Sequence, residues 1–186
     1  STDTLLVVFG SSSGSPEGDA IVAVDGSQLS VRTPANFSRN DRVVASQAAE
    51  EATCARTLAT VTAVAAPRVT VDSTGGAGIG WLLFNFGGAP TFRAYAVRAG
   101  NLTVCNYLAA DCGAACTAAD GTCSANWVAI ANNIVSLRAQ YGRDTANAMD
   151  GSVDVWDQSV PTRACHWVRI AALRLGIVAR SPQPDR

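Results

Sequence analysis

The chain has 186 residues, enough for one well-packed domain, and its 48% hydrophobic and 16% charged content excludes intrinsic disorder. A formal charge of −1 with no basic block removes phosphate-neutralising nucleic-acid binding from consideration, so no nucleic-acid partner is expected. All 14 cationic side chains are Arg, and the single His166 leaves little room for histidine-based catalysis or a multi-His metal site.

In chain order, strand signals dominate. Thr4 to Phe9 is a short apolar run that ends in the Gly/Ser-rich turn Gly10 to Gly18. Ile21 to Val24 and Leu29 to Val31 flank Asp25-Gly26, a dipeptide that predicts a hairpin. Further β-prone runs follow at Arg42 to Ser46, Leu58 to Val64 and Val69 to Val71, and the glycine-dense Ser73 to Gly80 predicts a loop. Trp81 to Phe86, Phe92 to Arg98 and Leu102 to Leu108 are three more strands, the last two joined by a three-residue loop at Ala99-Gly100-Asn101. Ala109 to Ser124 fits neither period and predicts a small-residue loop.

Ile130 to Tyr141 carries both periods. Alternation is the cleaner fit, because Ser136, Arg138 and Gln140 share the face opposite Val135, Leu137, Ala139 and Tyr141. Asp144 to Asp157 is an acidic loop. Trp167 to Val178 alternates again, with Leu173, Leu175 and Ile177 opposite Arg174. No internal repeat and no run of 18 apolar residues is present. The pattern predicts antiparallel sheet with long loops in a single domain over residues 1–186. The opening at Ser1-Thr2-Asp3, directly into a strand, suggests a processed form or an excised piece of an exported protein.

Of the six cysteines, Cys105, Cys112, Cys116 and Cys123 fall within nineteen residues, and Cys54 and Cys165 lie outside that cluster. The Cys112-x3-Cys116 spacing is within range for zinc, but the wider gaps and the Ala/Gly/Thr surroundings favour disulfides in an oxidising compartment. Fifteen connectivities are open. The flexible loop predicts at least one bond inside the cluster, joining Cys123 to Cys112 or Cys116.

Catalytic signals are absent. Gly10-Ser-Ser-Ser-Gly14 has no strand-to-helix elbow, Gly75 to Gly80 lacks the lysine of a phosphate loop, and no spacing singles out a carboxylate pair. The chain therefore reads as no enzyme. The strongest chemical signal is Asp144-Thr-Ala-Asn147-Ala-Met-Asp150-Gly151-Ser152-Val153-Asp154-Val-Trp-Asp157. Its second half follows the later part of an EF-hand-type loop. Asp144, Asn147, Asp150, Asp154, Asp157 and the Ser152 carbonyl could supply the six to eight oxygens of a Ca²⁺ site. The alternative is a solvated Asp/Asn/Gly turn. Trp81, Trp127, Trp156 and Trp167 raise a carbohydrate platform as a rival to core packing.

Asn133-Ile-Val-Ser-Leu-Arg-Ala-Gln-Tyr-Gly142, the aspartate loop ending Asp-Gly-Ser-Val-Asp, and Trp156 together resemble PilW-type minor pilins of bacterial type IV pili. Trp167 to Ser181 resembles the Arg-punctuated strand that follows in that family. Phe92 to Arg98, Asn101 to Cys105, and Asn40 to Val44 leading to Cys54 resemble its earlier strands. The resemblance implies an α+β pilin-like head whose N-terminal helix is absent from this chain. It also implies a structural role in pilus initiation or a tip complex. The partners would be other pilins and minor pilins of the filament and a tip adhesin, with membrane contact only through the missing helix. The location implied is the pilus at the cell surface, assembled from the inner membrane and periplasm. A J-type minor pseudopilin of type II secretion and a secreted calcium-stabilised carbohydrate-binding module are the alternatives.

Overall fold

The computed structural model describes residues 2–10, 14–47, 54–115, 125–147 and 149–181. Its strands are β1 (Thr4–Phe9), β2 (Asp19–Asp25), β3 (Gln28–Val31), β4 (Arg42–Ser46), β5 (Arg56–Ala65), β6 (Arg68–Val71) and β7 (Leu82–Gly87). They continue as β8 (Thr91–Arg98), β9 (Asn101–Asn106), β10 (Val128–Asn132), β11 (Ile134–Arg143), β12 (Val155–Asp157) and β13 (Ile170–Ala179). Among the described residues the helical content is one five-residue helix, α1 (Ala164–Val168), and a 3-10 turn at Pro34–Asn36. The expected α+β pilin-like class is thereby corrected: the fold is nearly all β. Alternating apolar residues and turn dipeptides run along most of the chain, and where a helical spacing competes, over Ile130 to Tyr141, the alternation prevails as β11. No helix among these residues is long and apolar enough to cross a membrane.

The chain forms two compact units. One consists of Phe9–Pro90 and Thr162–Arg169, the other of Ser1–Val8, Thr91–Pro161 and Ile170–Arg186. In the first, six strands close a barrel in the order β2-β3-β6-β5-β4-β7. Side chains two residues apart point to one face of a strand, so pairs such as Leu29 and Val31, Val43 and Ala45, and Val69 and Val71 all enter the barrel core. Burying each such Val or Leu contributes about 1.5–3 kcal/mol. The β2–β3 hairpin turns at Gly26-Ser27, with Gly26 at φ 56° in the first central position. The buried Asp19 accepts hydrogen bonds from Thr33 N and Asn36 Nδ2, and the buried Asp41 accepts from Ser38 N and Asn85 Nδ2, which fastens the Pro34–Asn36 turn. A disulfide joins Cys54 to Cys165 of α1 within this unit.

The second unit holds two sheets, β1-β8-β9-β10 and β12-β11-β13. The β8–β9 loop is two residues, not three, and both Ala99 (φ 48°) and Gly100 (φ 73°) sit at positive φ, as tight hairpins between twisted strands require. Ala94, Ala96 and Cys105 turn one face of the first sheet toward Trp127 and Cys112, and the Cys105–Cys112 disulfide clips the following loop onto it. Thr2 and Asp3 tie β1 to β11: Asp3 N donates to the Leu137 carbonyl at 2.9 Å and Ala139 N to Asp3 Oδ2 at 2.8 Å.

Candidate functional site

The acidic segment leaves β11 at Arg143 and re-enters the sheet as β12, pairing Arg143 with Val155 and Tyr141 with Asp157. Its centre is Asp144, only 2% exposed. Asp144 Oδ2 accepts the backbone N–H groups of Asp150 (2.7 Å) and Gly151 (2.8 Å), and Oδ1 accepts that of Ala146 (3.0 Å). Gly151 makes the return possible at φ 79°, a conformation that L side chains rarely adopt. Asp154 Oδ2 accepts from Thr145 N at 2.7 Å and from the Thr145 hydroxyl at 3.0 Å, and Asp150 Oδ1 accepts from Ser152 N. Asp157 receives Arg143 in a two-pronged pair, Nε to Oδ2 at 2.7 Å and Nη2 to Oδ1 at 3.1 Å, while Arg143 also donates to the Ser159 carbonyl.

The electrostatics follow from these donors. The Thr145 N–H and hydroxyl hold the Asp154 carboxyl below the usual range. The Arg143 hydrogen bond, then the Ser159 N–H, do the same for Asp157. Four carboxylates in fourteen residues are thus met one by one, by backbone N–H groups, a hydroxyl and a guanidinium. Asn147 is exposed, and no group of three or more His, Cys, Asp or Glu side chains among the described residues is placed to hold a metal ion. The arrangement is a hydrogen-bonded turn in which each of the four aspartates expected as Ca²⁺ ligands, Asp144, Asp150, Asp154 and Asp157, accepts from a protein donor, with Asn147 and Ser152 on the same turn.

Cysteine placement corrects one expectation. A bond inside the cluster exists, but Cys112 is joined to Cys105, so its pairing with Cys123 is overturned. Cys116 and Cys123, with the alternative bond between them, lie outside the described residues. A linker of only six residues brings Cys112 back over the end of β9, a proximity that appears in sequence only once the end of that strand is fixed. Trp127 packs in the core beneath the Arg98 guanidinium (4.4 Å to the ring centroid), Trp81 packs against the barrel core, and Trp156 carries Arg174 at 4.1 Å. They are spread over both units.

Sequence reasoning missed an apolar groove in the second unit. It has a volume of about 280 Å³ and is lined by Leu5, Val7, Tyr95, Leu102, Leu137, Leu175 and Ile177. Register places Leu137 opposite Ile177, Ala139 opposite Leu175 and Tyr141 opposite Leu173, so one face of the β11–β13 pair is continuously apolar. Leu173, Leu175 and Ile177 remain 42–52% exposed. Their alternation was visible in sequence, but the sheets that complete the groove come from residues more than 60 positions away.

Residues 96–186 match the family model of type IV pilus-assembly protein W. This half of the chain is similar to PilW. The match spans β9 to β13, the acidic turn and the strands that line most of the groove, and it fits a role in type IV pilus assembly. The barrel strands β2 to β7 lie outside the PilW match. No curated protein and no solved structure matches the chain.

Proposed function

We propose that the protein is a non-enzymatic minor subunit of a type IV pilus, acting in filament initiation or in a tip complex through contacts with other pilus components at the cell envelope. The observation that carries this reading is the PilW match over residues 96–186. Two features of the same unit support contact over chemistry. The groove lining offers one hydroxyl, on Tyr95, and no carboxylate, imidazole or thiol to a substrate. The acidic turn's carboxylates accept from backbone N–H groups, the Thr145 hydroxyl and the Arg143 guanidinium. The test is deletion of the gene in the bacterium that encodes the chain, with complementation by the full-length protein. Loss of surface pili that complementation restores is expected. Cross-linking of the complemented protein to other minor subunits supports the tip-complex form, and unchanged piliation overturns the reading.

A further inference from the structure

Cys54 is bonded to Cys165, 111 residues away, and that bond encloses the Cys105–Cys112 bond. The pairing is nested. Cys105, Cys112, Cys116 and Cys123 all lie between Cys54 and its partner, so in a chain emerging N-terminus first each is available to Cys54 before Cys165 is. Loop statistics add to that bias. Closure probability in a flexible chain falls as about the −3/2 power of loop length, so Cys105, about 50 residues on, is favoured over Cys165 roughly threefold. The four nearer cysteines together outcompete Cys165 roughly tenfold.

We propose that this chain is a substrate of a thiol–disulfide isomerase, a dithiol enzyme that moves Cys54 from an earlier-emerging cysteine onto Cys165. The proposal goes beyond the pilus reading and rests on cysteine order and connectivity alone. Consecutive pairing of the four described cysteines gives Cys54–Cys105 and Cys112–Cys165. The isomerase thiolate attacks the Cys54 sulfur, forming a mixed disulfide and releasing the Cys105 thiolate. That thiolate attacks the Cys112 sulfur, forming Cys105–Cys112 and releasing the Cys165 thiolate. Cys165 then displaces the enzyme from Cys54, completing Cys54–Cys165 and regenerating the enzyme thiolate. Two protein disulfides enter and two leave, so no net oxidant, reductant or proton is needed. Once both bonds are made and no thiolate remains to attack them, an oxidase alone cannot start the exchange.

The full chain, reduced and denatured, is reoxidised with diamide in the absence of free thiol, with and without a purified disulfide isomerase, and its disulfide peptides are mapped by mass spectrometry. Cys54–Cys165 is expected in a minor fraction with oxidant alone and to rise up to about tenfold with the isomerase. The same yield and rate in both arms overturns the proposal. In a second arm Cys105, Cys112, Cys116 and Cys123 are all changed to Ser. Cys54–Cys165 should then form equally well without isomerase, and continued dependence overturns the proposal by showing general folding assistance. Neither readout involves pili, so this proposal and the pilus reading fail separately.

Discussion

Arg143 and Asp157 face each other across the first turn after β11, with Nε 2.7 Å from Oδ2 and both oxygens engaged. The pair fixes the end of the acidic turn while the backbone of Arg143 accepts from Asp154 N at 2.9 Å. Because Asp157 and Asp154 are held below the ordinary carboxylate range when folded, the ionised forms favour the native state. That stability is fully present above the unfolded value, about 3.9, and is lost as pH falls through the lower folded values. Melting temperature measured from pH 7 to pH 2 should therefore drop at the acid end. Asp157→Asn should melt lower at neutral pH, with its curve converging on the wild type as pH falls. Parallel curves would show that the pair does not couple to folding.

Asp144 is the organising acceptor of the turn. Asp144→Ala leaves the N–H groups of Ala146, Asp150 and Gly151 without their acceptor, and a cost of about 2–4 kcal/mol is expected in urea unfolding. Asp144→Asn keeps one acceptor oxygen and should fall between the two. Equal losses for both substitutions would mean that charge, not hydrogen bonding, is what the turn needs.

Gly142 lies where a side chain has no room. A Cβ there would stand 2.8 Å from Val153 Cγ2 and 3.1 Å from the Trp156 ring. Valine is short and stiff at χ1, so it cannot swing aside. Gly142→Ala should cost about 1–3 kcal/mol. The double variant with Val153→Ala should cost less than the sum of the singles, and strict additivity would remove the contact from the account.

The two disulfides differ in the loops they close, with sequence separations of 111 and 7 residues. On chain entropy the longer one contributes about 5 kcal/mol and the shorter about 2.5 kcal/mol. Cys54→Ser/Cys165→Ser should therefore destabilise the barrel unit more than Cys105→Ser/Cys112→Ser destabilises the other. Hydrogen exchange, which resolves the units separately, is the measurement. Protection lost evenly across both units in either variant would contradict this assignment.

Local signals were legible where the pattern and the turn chemistry agree. β1 and β4 fall on their expected residues, and the alternation of β11 won over its competing helical spacing because polar side chains share one face. Leu102 to Leu108 was expected to run further than β9 does. Tyr107 and Leu108 are apolar but turn, with Leu108 N donating to Asn106 Oδ1. The strand expected from Trp167 starts at Ile170, because Ala164–Val168 is wound into a helix anchored by Cys165, a long-range constraint with no local trace. Barrel closure was hidden for the same reason: β2 meets β7 only through pairing across some sixty residues. At the candidate site, the density of aspartates was plain. What each carboxylate would accept depended on backbone N–H directions, which residue types do not encode.

The placement of Thr162–Arg169 has a consequence for how the molecule could be cut or rearranged. The polypeptide enters the barrel unit at Phe9, leaves after Pro90, returns at Thr162 and departs again after Arg169. With Cys54 bonded to Cys165, the covalent graph there is a ring, not a line. A protease nick between Pro90 and Thr91 leaves two fragments that still migrate as one until a reductant is added. Removing residues 9–90 as a cassette strands an eight-residue remnant with an orphaned thiol. The barrel strands are contiguous in sequence, but the unit that holds them is not, so removing that unit whole takes a second, distant splice.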